Sequence, residues 1–196
     1  MKISVKVDKC SYLVSEALVK GAYRYWLSRS WAPLSHGPLM GFVMLNPSTA
    51  DGTVDDPTIR KCCGFAKAFS HSGIIVVNLY AYRSPYPRAL AGTADPKGPE
   101  CDQWITKAAS RESVKTWVAA WGELLPRVLA IAGKTRPPAR IEEVLRLINQ
   151  PVFCFGLTKT GQPKHPARLG YSSHLQQFWQ PDVGHIKVAQ PAEASA

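Results

Sequence analysis

The 196-residue sequence has no apolar run that approaches the roughly 20 residues of a membrane-spanning helix. Its polar N-terminus lacks the apolar segment of a secretory signal peptide. Acidic residues are scarce as well, because 14 stand against 24 lysines and arginines, for a formal net charge of +10. These absences predict a basic, cytoplasmic protein with no membrane partner, and the 45% of hydrophobic residues predicts a folded core.

The cysteines show neither zinc-site nor redox-motif spacing. They form an odd set without a Cys-x-x-Cys pair: Cys10, Cys62, Cys63, Cys101 and Cys154. Zinc ribbons need paired ligands on tight turns, and disulfide scaffolds use an even number of cysteines. We therefore expect buried free thiols, no metal site and no cofactor. A metal or iron–sulfur site built from scattered cysteines is the alternative.

The positive charge is unevenly distributed along the chain. Residues 17–50 contain no acidic side chain, and only Asp182 and Glu193 are acidic after Glu143. Lysine and arginine neutralise phosphates and release counterions, so this excess favours a nucleic-acid partner. Charge that serves only solubility is the alternative.

Short apolar runs alternate with helical patterns. Strands are predicted at residues 39–45, 74–78, 116–121 and 152–155, and an aromatic hairpin at 12–31. Helices are predicted from Pro57, with Asp56 as N-cap, and at 100–109 and 139–149. This alternation predicts a single-domain, three-layer α/β fold, in which helices flank a central, mainly parallel sheet and the hairpin lies on one side. The domain would span residues 1–171, followed by a C-terminal segment and flexible tail over 172–196.

Polar residues stand where the predicted strands end. Asn46, Asn78 and Gly122 follow or end three of the strands, and the basic loop 158–165 follows the fourth. In open α/β sheets, ligands bind beyond the carboxyl ends of the strands. We therefore expect these four segments to line one crevice.

The first candidate motif runs from Asn46 to Asp51. The Asn46 amide can donate to and accept from a water or a ligand, and the hydroxyls of Ser48 and Thr49 can bind phosphate or ribose oxygens. Asp51 has no helix start beside it and is the carboxylate that we expect to take part in chemistry, whereas Asp56 is expected to cap a helix. A capping turn and a magnesium-dependent nuclease are the alternatives, although a third metal ligand is not evident.

The second motif covers residues 73–83, where an apolar strand ends on Asn78. A base edge offers paired donors and acceptors that a buried amide can match. Tyr80 or Tyr82 could stack on a base, and Arg83 could hold a phosphate. Loop contacts of the amide and ordinary packing of the tyrosines are the alternatives.

The third motif covers residues 164–169. His165 lies between Lys164 and Arg168, and we expect these cations to lower its pKa and keep the imidazole neutral. A neutral imidazole can donate one hydrogen bond to developing negative charge. Leu169 is either a core residue or a wedge that inserts into a base stack.

In this order, the three motifs resemble those of the uracil-DNA glycosylase superfamily. Asn46-Pro47 resembles the water-activating motif of the mismatch-specific branch, residues 73–83 resemble the strand whose Asn reads the pyrimidine, and residues 165–169 resemble the His-Pro loop with its Leu wedge. The longer Asn-Pro-Ser-Thr-Ala-Asp signature also resembles a little-characterised family of bacterial and phage proteins. The resemblance implies a glycosylase-like fold and a DNA glycosylase that flips a base and hydrolyses its N-glycosidic bond.

The resemblance also implies a role for each candidate. Asn46 would position the attacking water, with Asp51 compensating for the carboxylate that position 46 lacks, and His165 would donate to the departing base. The base would contact Asn78, Ser48 and Tyr80. The DNA contacts would come from Thr49, Arg83, Lys164, Arg168 and Leu169.

Departures from the superfamily pattern narrow the expected substrate. Ser48 stands where the strongest uracil glycosylases have a bulky Tyr that excludes C5-substituted pyrimidines. This implies a pyrimidine enlarged at C5, such as a hydroxymethylated or glycosylated base of phage DNA. Ala167 replaces the usual Ser after His-Pro and removes a phosphate contact, and the iron–sulfur cysteine pattern of some branches is absent.

Two other functions are compatible with the sequence: a hydrolase of free nucleosides or nucleotides, and a non-catalytic nucleic-acid-binding or inhibitory module. The expected partner is modified phage DNA or damaged DNA, in antiphage defence or DNA repair. We expect the protein to be a monomer.

Overall fold

The computed structural model describes residues 12–32, 37–123 and 137–181. The strands are β1 (Val14–Lys20), β2 (Tyr23–Ser30), β3 (Leu39–Met44), β4 (Gly73–Asn78), β5 (Val114–Ala119), β6 (Val152–Cys154) and β7 (Gln176–Trp179). The helices are α1 (Pro57–Ala68), α2 (Cys101–Ala109) and α3 (Pro137–Ile148), with 3-10 turns at Pro87–Gly92 and Pro166–Arg168. Cys10 and the predicted tail beyond residue 181 lie outside the described residues.

The seven strands form one mixed sheet in the order β1-β2-β4-β3-β5-β6-β7. Its four central strands, β4-β3-β5-β6, are parallel. The hairpin β1–β2 joins one edge with β2 antiparallel to β4, and β7 joins the other edge antiparallel to β6. The predicted α/β class is confirmed, but a mainly parallel sheet is found only in the centre, because the hairpin extends the sheet instead of lying beside it.

Helices cover both faces of this sheet. Alternate residues of β4 enter two separate core clusters, with Ile74 and Val76 in one and Ile75 and Val77 in the other. The first cluster includes the buried face of α1, and the second includes those of α2 and α3. Strands buried on both faces read as continuous apolar runs, which is why β3 and β4 were predictable from sequence.

The start of α1 follows the sequence prediction. The Asp56 side chain accepts a hydrogen bond from the backbone N–H of Ile59 at 2.8 Å, and Pro57 occupies the first helical position. Such a cap contributes about 1 kcal/mol. It also sets the entry of the loop 46–55 against the carboxyl end of β3.

The expected free thiols are found in the described part of the chain, where Cys62, Cys63, Cys101 and Cys154 are buried and unpaired. Within the same residues, no three potential ligands from His, Cys, Asp and Glu come together as a metal site would require. None of the described helices has the length and apolarity to cross a membrane.

β7 lies within the segment predicted to follow the domain. It pairs with β6 through Val152 opposite Trp179 and Cys154 opposite Gln176. Trp179 and its neighbour Phe178 are buried in the core. The sheet therefore continues beyond residue 171.

Candidate functional site

A cavity of about 220 Å³ opens at the carboxyl ends of the central strands. Asn46 follows β3, Asn78 ends β4, Trp121 follows β5 and His165 follows β6, and all four line this cavity. Pockets for drug-sized ligands span roughly 300–1,000 Å³. This smaller cavity suits a single ring-sized group, and it brings together the two amides and the imidazole that the strand-end pattern predicted.

The Asn78 side chain is the most unusual group in the cavity. The residue is 2% exposed, and neither Oδ1 nor Nδ2 has a hydrogen-bond partner among the described residues. Its own backbone carbonyl is engaged, since it accepts from Cys101 Sγ at 3.6 Å. A buried polar group without a partner costs roughly 1–3 kcal/mol. An amide kept at that cost offers one donor and one acceptor to a ligand.

Asn46 is held differently. Its Nδ2 donates to the carbonyl oxygens of Pro47 at 3.0 Å and Ser84 at 2.9 Å, so the loop fixes the direction of the amide. With its N–H groups used by the backbone, Oδ1 is the atom that can accept a hydrogen bond within the cavity. This arrangement suits a side chain that orients a water molecule.

His165 presents a defined tautomer. Its Nδ1 accepts from the backbone N–H of Ala167 at 3.3 Å, which leaves the ring proton on Nε2. Burial lowers the pKa of His165, and the charge of Asp56 partly opposes this shift. The expected neutral imidazole is therefore supported, but its cause is burial and not the neighbouring cations, because Lys164 and Arg168 are exposed.

The loop that carries His165 is attached to the end of β5. Gly122 has φ +77°, and its N–H donates to the carbonyl of Pro163 at 3.0 Å. A Cβ at position 122 would lie 2.9 Å from His165 Cβ. The adjacent Trp121 donates from Nε1 to Gln162 Oε1 at 2.9 Å. The glycine therefore permits the close approach that brings the imidazole to the cavity.

The two acids on which the sequence made a prediction differ in outcome, because Asp51 does not line the cavity, whereas Asp56 caps α1 as predicted. Asp51 lies outside the cavity lining, and its Oδ1 accepts from the N–H groups of Thr53 and Val54 at 2.8 and 2.9 Å. Although desolvation raises its pKa, these hydrogen bonds hold the pKa of Asp51 below the usual value. Asp56, by contrast, lines the cavity while it caps α1. Asp51 therefore organises the loop.

The loop is further tied to the hairpin by a buried arginine. Arg29 on β2 donates from Nε to Asp55 Oδ1 at 2.8 Å, and also donates to the backbone carbonyl of Asp51. Arg29 is only 1% exposed. The hairpin thus supports the loop that carries Asn46 and Ser48, a role that its sequence pattern did not reveal.

The structure places only some of the predicted base contacts in the cavity. Ser48 lines the cavity as expected. Tyr80 belongs instead to the core cluster under α2 and α3, where burial raises the pKa of its phenol, and it is not part of the cavity lining. Leu79 and Tyr80, the two residues after β4, both enter this cluster, so the alternation of faces within the strand does not continue past Asn78.

The predicted DNA contacts lie around the opening, with one exception. Thr49 is exposed, and its carbonyl accepts from Arg83 at 3.4 Å on one side, while Lys164 and Arg168 are exposed beside His165 on the other. Leu169 packs against the core cluster of α1. This contact of the half-buried Leu169 supports the interpretation of Leu169 as a core residue, and its role as a wedge stays a prediction.

Tyr86 is an exposed aromatic at this opening that sequence reasoning missed. It is 62% exposed and lies between Pro85 and Pro87, which both line the cavity. The Ser84 hydroxyl both donates to the backbone carbonyl of Tyr86 and accepts from its N–H, each at 3.0 Å. Arg88 stands 5.3 Å from the ring centroid. A Pro-Tyr-Pro sequence after a strand end was the available signal.

Arg24 is the second residue missed. It lies on β2, is 2% exposed and lines the cavity. It donates from one terminal nitrogen to the carbonyl of Ala50 at 2.7 Å. An arginine between two aromatic residues of a strand resembled an ordinary surface position, because the sequence does not show that both faces of β2 are covered.

Comparison with known proteins identifies the family. A family model described as "Protein of unknown function (DUF1643)" matches residues 24–167, which is most of the chain and includes all the cavity residues named above. No curated protein and no solved structure matches the sequence.

Proposed function

The chain belongs to the DUF1643 family, whose function is unknown, and from the geometry of its cavity we propose that it is a DNA glycosylase. Its substrate is a flipped pyrimidine with a substituent at C5, and its products are the free base and an abasic site. The observation that carries the proposal is the buried, unpartnered amide of Asn78, in one cavity with Asn46 and His165. The resemblance of the three motifs to the uracil-DNA glycosylase superfamily, and of the parallel core strands to its fold, supports the same conclusion.

Asn78 reads the base. A pyrimidine edge carries a donor and acceptors side by side, and a side-chain amide matches such a pair with two hydrogen bonds. The energy lost by leaving the amide unpaired in the empty protein is regained when a base enters. A base lacking the complementary pair would leave the amide unpaired and would be rejected.

Asn46 and His165 perform the hydrolysis. Asn46 Oδ1 accepts a hydrogen bond from a water whose oxygen attacks C1′ of the nucleotide, while the C1′–N1 bond breaks and its electron pair stays on the base. His165 Nε2–H donates to the carbonyl oxygen on which the negative charge develops. A donor of this kind contributes about 2.7–4 kcal/mol in comparable oxyanion sites. The proton released by the attacking water leaves to solvent.

The substituent at C5 follows from Ser48. This small side chain lines the cavity and leaves room where the strongest uracil glycosylases have a Tyr. A hydroxymethylated base of phage DNA fits a cavity of this size, whereas the sugar ring of a glycosylated base would extend out through its opening. Removal of such bases would serve antiphage defence, and removal of damaged bases would serve repair.

The DNA backbone contacts the opening. Arg83, Lys164 and Arg168 take part in none of the ion pairs among the described residues, so each is available to a phosphate. Tyr86 stacks on a base beside the flipped nucleotide, because an exposed aromatic ring at the mouth of the cavity can lie against the face of a base. A flipped base can then reach the cavity.

The test is to replace Asn78 by leucine. Removing an unpaired buried amide is expected to leave the melting temperature equal or higher, because its burial cost disappears. Base release, counted as abasic sites in DNA that carries modified pyrimidines, is expected to fall roughly 5- to 150-fold, because a bidentate pair worth ~1–3 kcal/mol is lost. The matched control is Gln177→Leu, an exposed amide on β7, which should change neither quantity.

The outcomes separate the candidate functions. Release of base from free nucleotides with little salt dependence would favour the nucleoside hydrolase. If the wild type released no base at any pH, and DNA binding survived the loss of Asn46 and His165, the non-catalytic module would be favoured. Equal base release by the wild type and Asn78→Leu would contradict the role of Asn78.

A further inference from the structure

Arg24 places an unneutralised cation in the wall of the cavity. The residue is 2% exposed, and only one of its three guanidinium nitrogens has a described bond, to Ala50. Its Nε has no hydrogen-bond partner among the described residues. No carboxylate in that part of the chain lies within 4 Å of it. The mechanism above uses neither this charge nor the unpaired N–H.

The guanidinium stays charged despite its burial. Desolvation lowers the pKa of Arg24 to about 10, and the charge of Asp56 works against this shift. Asp56 lines the same cavity, with Oδ1 committed to the N-terminus of α1. The cavity wall therefore combines a cation with a carboxylate that has a second oxygen.

Three hydroxyl residues accompany these charges in the cavity lining, Ser48, Thr58 and Ser84, of which Ser84 is already bonded to the backbone of Tyr86. The ring edge of a pyrimidine is already matched by Asn78 and His165. The remaining set of donors and acceptors needs a second polar group on the ligand. A hydroxyl can form a hydrogen bond with each charged group, because it accepts from a guanidinium and donates to a carboxylate. An anionic substituent would gain at Arg24 but would be repelled by Asp56.

We propose that Arg24 and Asp56 form a subsite that selects a neutral, hydroxyl-bearing substituent at C5 of the excised pyrimidine. The inference rests on the proposed glycosylase function and deepens it. Ser48 provides the space for a substituent, whereas Arg24 and Asp56 determine its chemistry. A methyl group of almost the same size would leave both charges without a partner, and a site built to bind a hydroxyl rejects such an analogue strongly.

The experiment compares methyl and hydroxymethyl bases, which differ by one oxygen atom, and adds an anionic and a glucosylated base. Duplexes carry thymine, 5-hydroxymethyluracil or 5-carboxyuracil, and a parallel set carries 5-methylcytosine, 5-hydroxymethylcytosine or its glucosylated form. The wild type is expected to release the hydroxymethyl base at least on the order of 10²-fold faster than its methyl counterpart. Arg24→Met, which keeps the apolar stem of the side chain without the guanidinium, is expected to reduce that ratio to within about tenfold.

A second variant tests the subsite independently, in case Arg24→Met does not fold. Asp56→Asn removes the charge but keeps an equally good N-cap, so α1 should remain intact and the hydroxyl preference should still fall. The control is Arg146→Met, since Arg146 is an exposed arginine of α3 paired with Glu142, and it should keep the full preference.

Each result has one meaning. Equal release of methyl and hydroxymethyl bases by the wild type would overturn the subsite and leave the glycosylase function in place. A preference for 5-carboxyuracil would overturn it as well, because the subsite would then bind an anion. An unchanged preference in both Arg24→Met and Asp56→Asn would assign the selection to other residues. Release of no base from any duplex would contradict the proposed function itself.

Discussion

At the scale of single residues, identical side chains acquire different roles from their hydrogen bonds. Asn46 and Asn78 both follow apolar strands, and the sequence offers no means of telling them apart. The backbone carbonyls of Pro47 and Ser84 hold the amide of Asn46, whereas that of Asn78 is buried without a partner in the described chain. The first is therefore suited to orienting a small molecule, and the second to recognising a complementary edge.

His165 gives a prediction on pH. Burial lowers the pKa of its imidazole in the folded protein below the ordinary 6.5. At a pH between the folded-state pKa and 6.5, the unfolded chain therefore binds a proton that the folded protein does not. The His165 contribution to stability is therefore complete above pH 6.5 and falls as the pH drops below it. We expect the difference in unfolding free energy between wild type and His165→Gln to shrink over that range, as measured by urea denaturation.

Base release should follow the same protonation. The imidazolium cannot accept the hydrogen bond from Ala167 at Nδ1, so the ring loses its fixed direction in acid, and we expect activity to fall below pH 6.5. His165→Gln should be at least about tenfold slower at neutral pH and should lack this acid limb. An acid limb of the same midpoint in the variant would show that another group controls the rate.

At the scale of secondary-structure elements, the end of β5 determines where the His165 loop lies. Gly122→Ala forces a left-handed alanine, at about 1–2 kcal/mol, and also brings a Cβ to 2.9 Å from that of His165. The control is Gly21→Ala in the hairpin turn, where φ is +55° and no atom lies within 4 Å of the added Cβ.

We expect both alanine variants to lose stability through backbone strain, Gly122→Ala the more because of its added contact with His165, and only Gly122→Ala to lose most of its base release. Thermal melting and the abasic-site assay measure the two quantities separately. A comparable loss of activity in Gly21→Ala would mean that backbone strain alone, and not displacement of the imidazole, explains the effect.

The elements that could be predicted from sequence are those that the core defines. The apolar runs of β3 and β4 have no exposed residue, and the Asp56-Pro57 start of α1 is a local signal. β7 could not be predicted, because it is a four-residue edge strand with two exposed residues, and its pairing with β6 determines its conformation. The hairpin was predictable, but its incorporation into the sheet depends on the tertiary contact between β2 and β4.

The same limit applies to the site. Asn46, Asn78 and His165 were predictable because they stand at strand ends, where any α/β sheet gathers its polar residues. Arg24 was not, because it enters the cavity from the antiparallel hairpin, which the strand-end rule does not cover. The cap at Asp56 was predictable from Pro57 beside it, but the place of Asp56 in the cavity lining was not, because it depends on the folded path of the loop 46–56.

At the scale of the whole molecule, the direction of the helices separates two sets of basic residues. Helices that connect parallel strands run against them, so α2 and α3 end at the amino-terminal edge of the sheet, away from the cavity. Lys107 near the end of α2, Lys115 at the start of β5 and Arg146 near the end of α3 are exposed there. Arg83, Lys164 and Arg168 surround the cavity instead. The net charge of +10 therefore has two parts that can be removed independently.

Removing the cavity-side charges should weaken DNA binding through counterion release. Each lost phosphate contact lowers the slope of log K against log salt by about 0.9. The triple Arg83/Lys164/Arg168→Gln variant should therefore lose up to about 2.7 from that slope and bind more weakly at low salt, with the difference from wild type shrinking as salt rises. The Lys107/Lys115/Arg146→Gln variant has the same net charge and should keep the wild-type slope. If the two variants lost slope equally, the DNA would be held by the overall charge of the protein and not across the cavity, and the flipped base would have no defined route to Asn78.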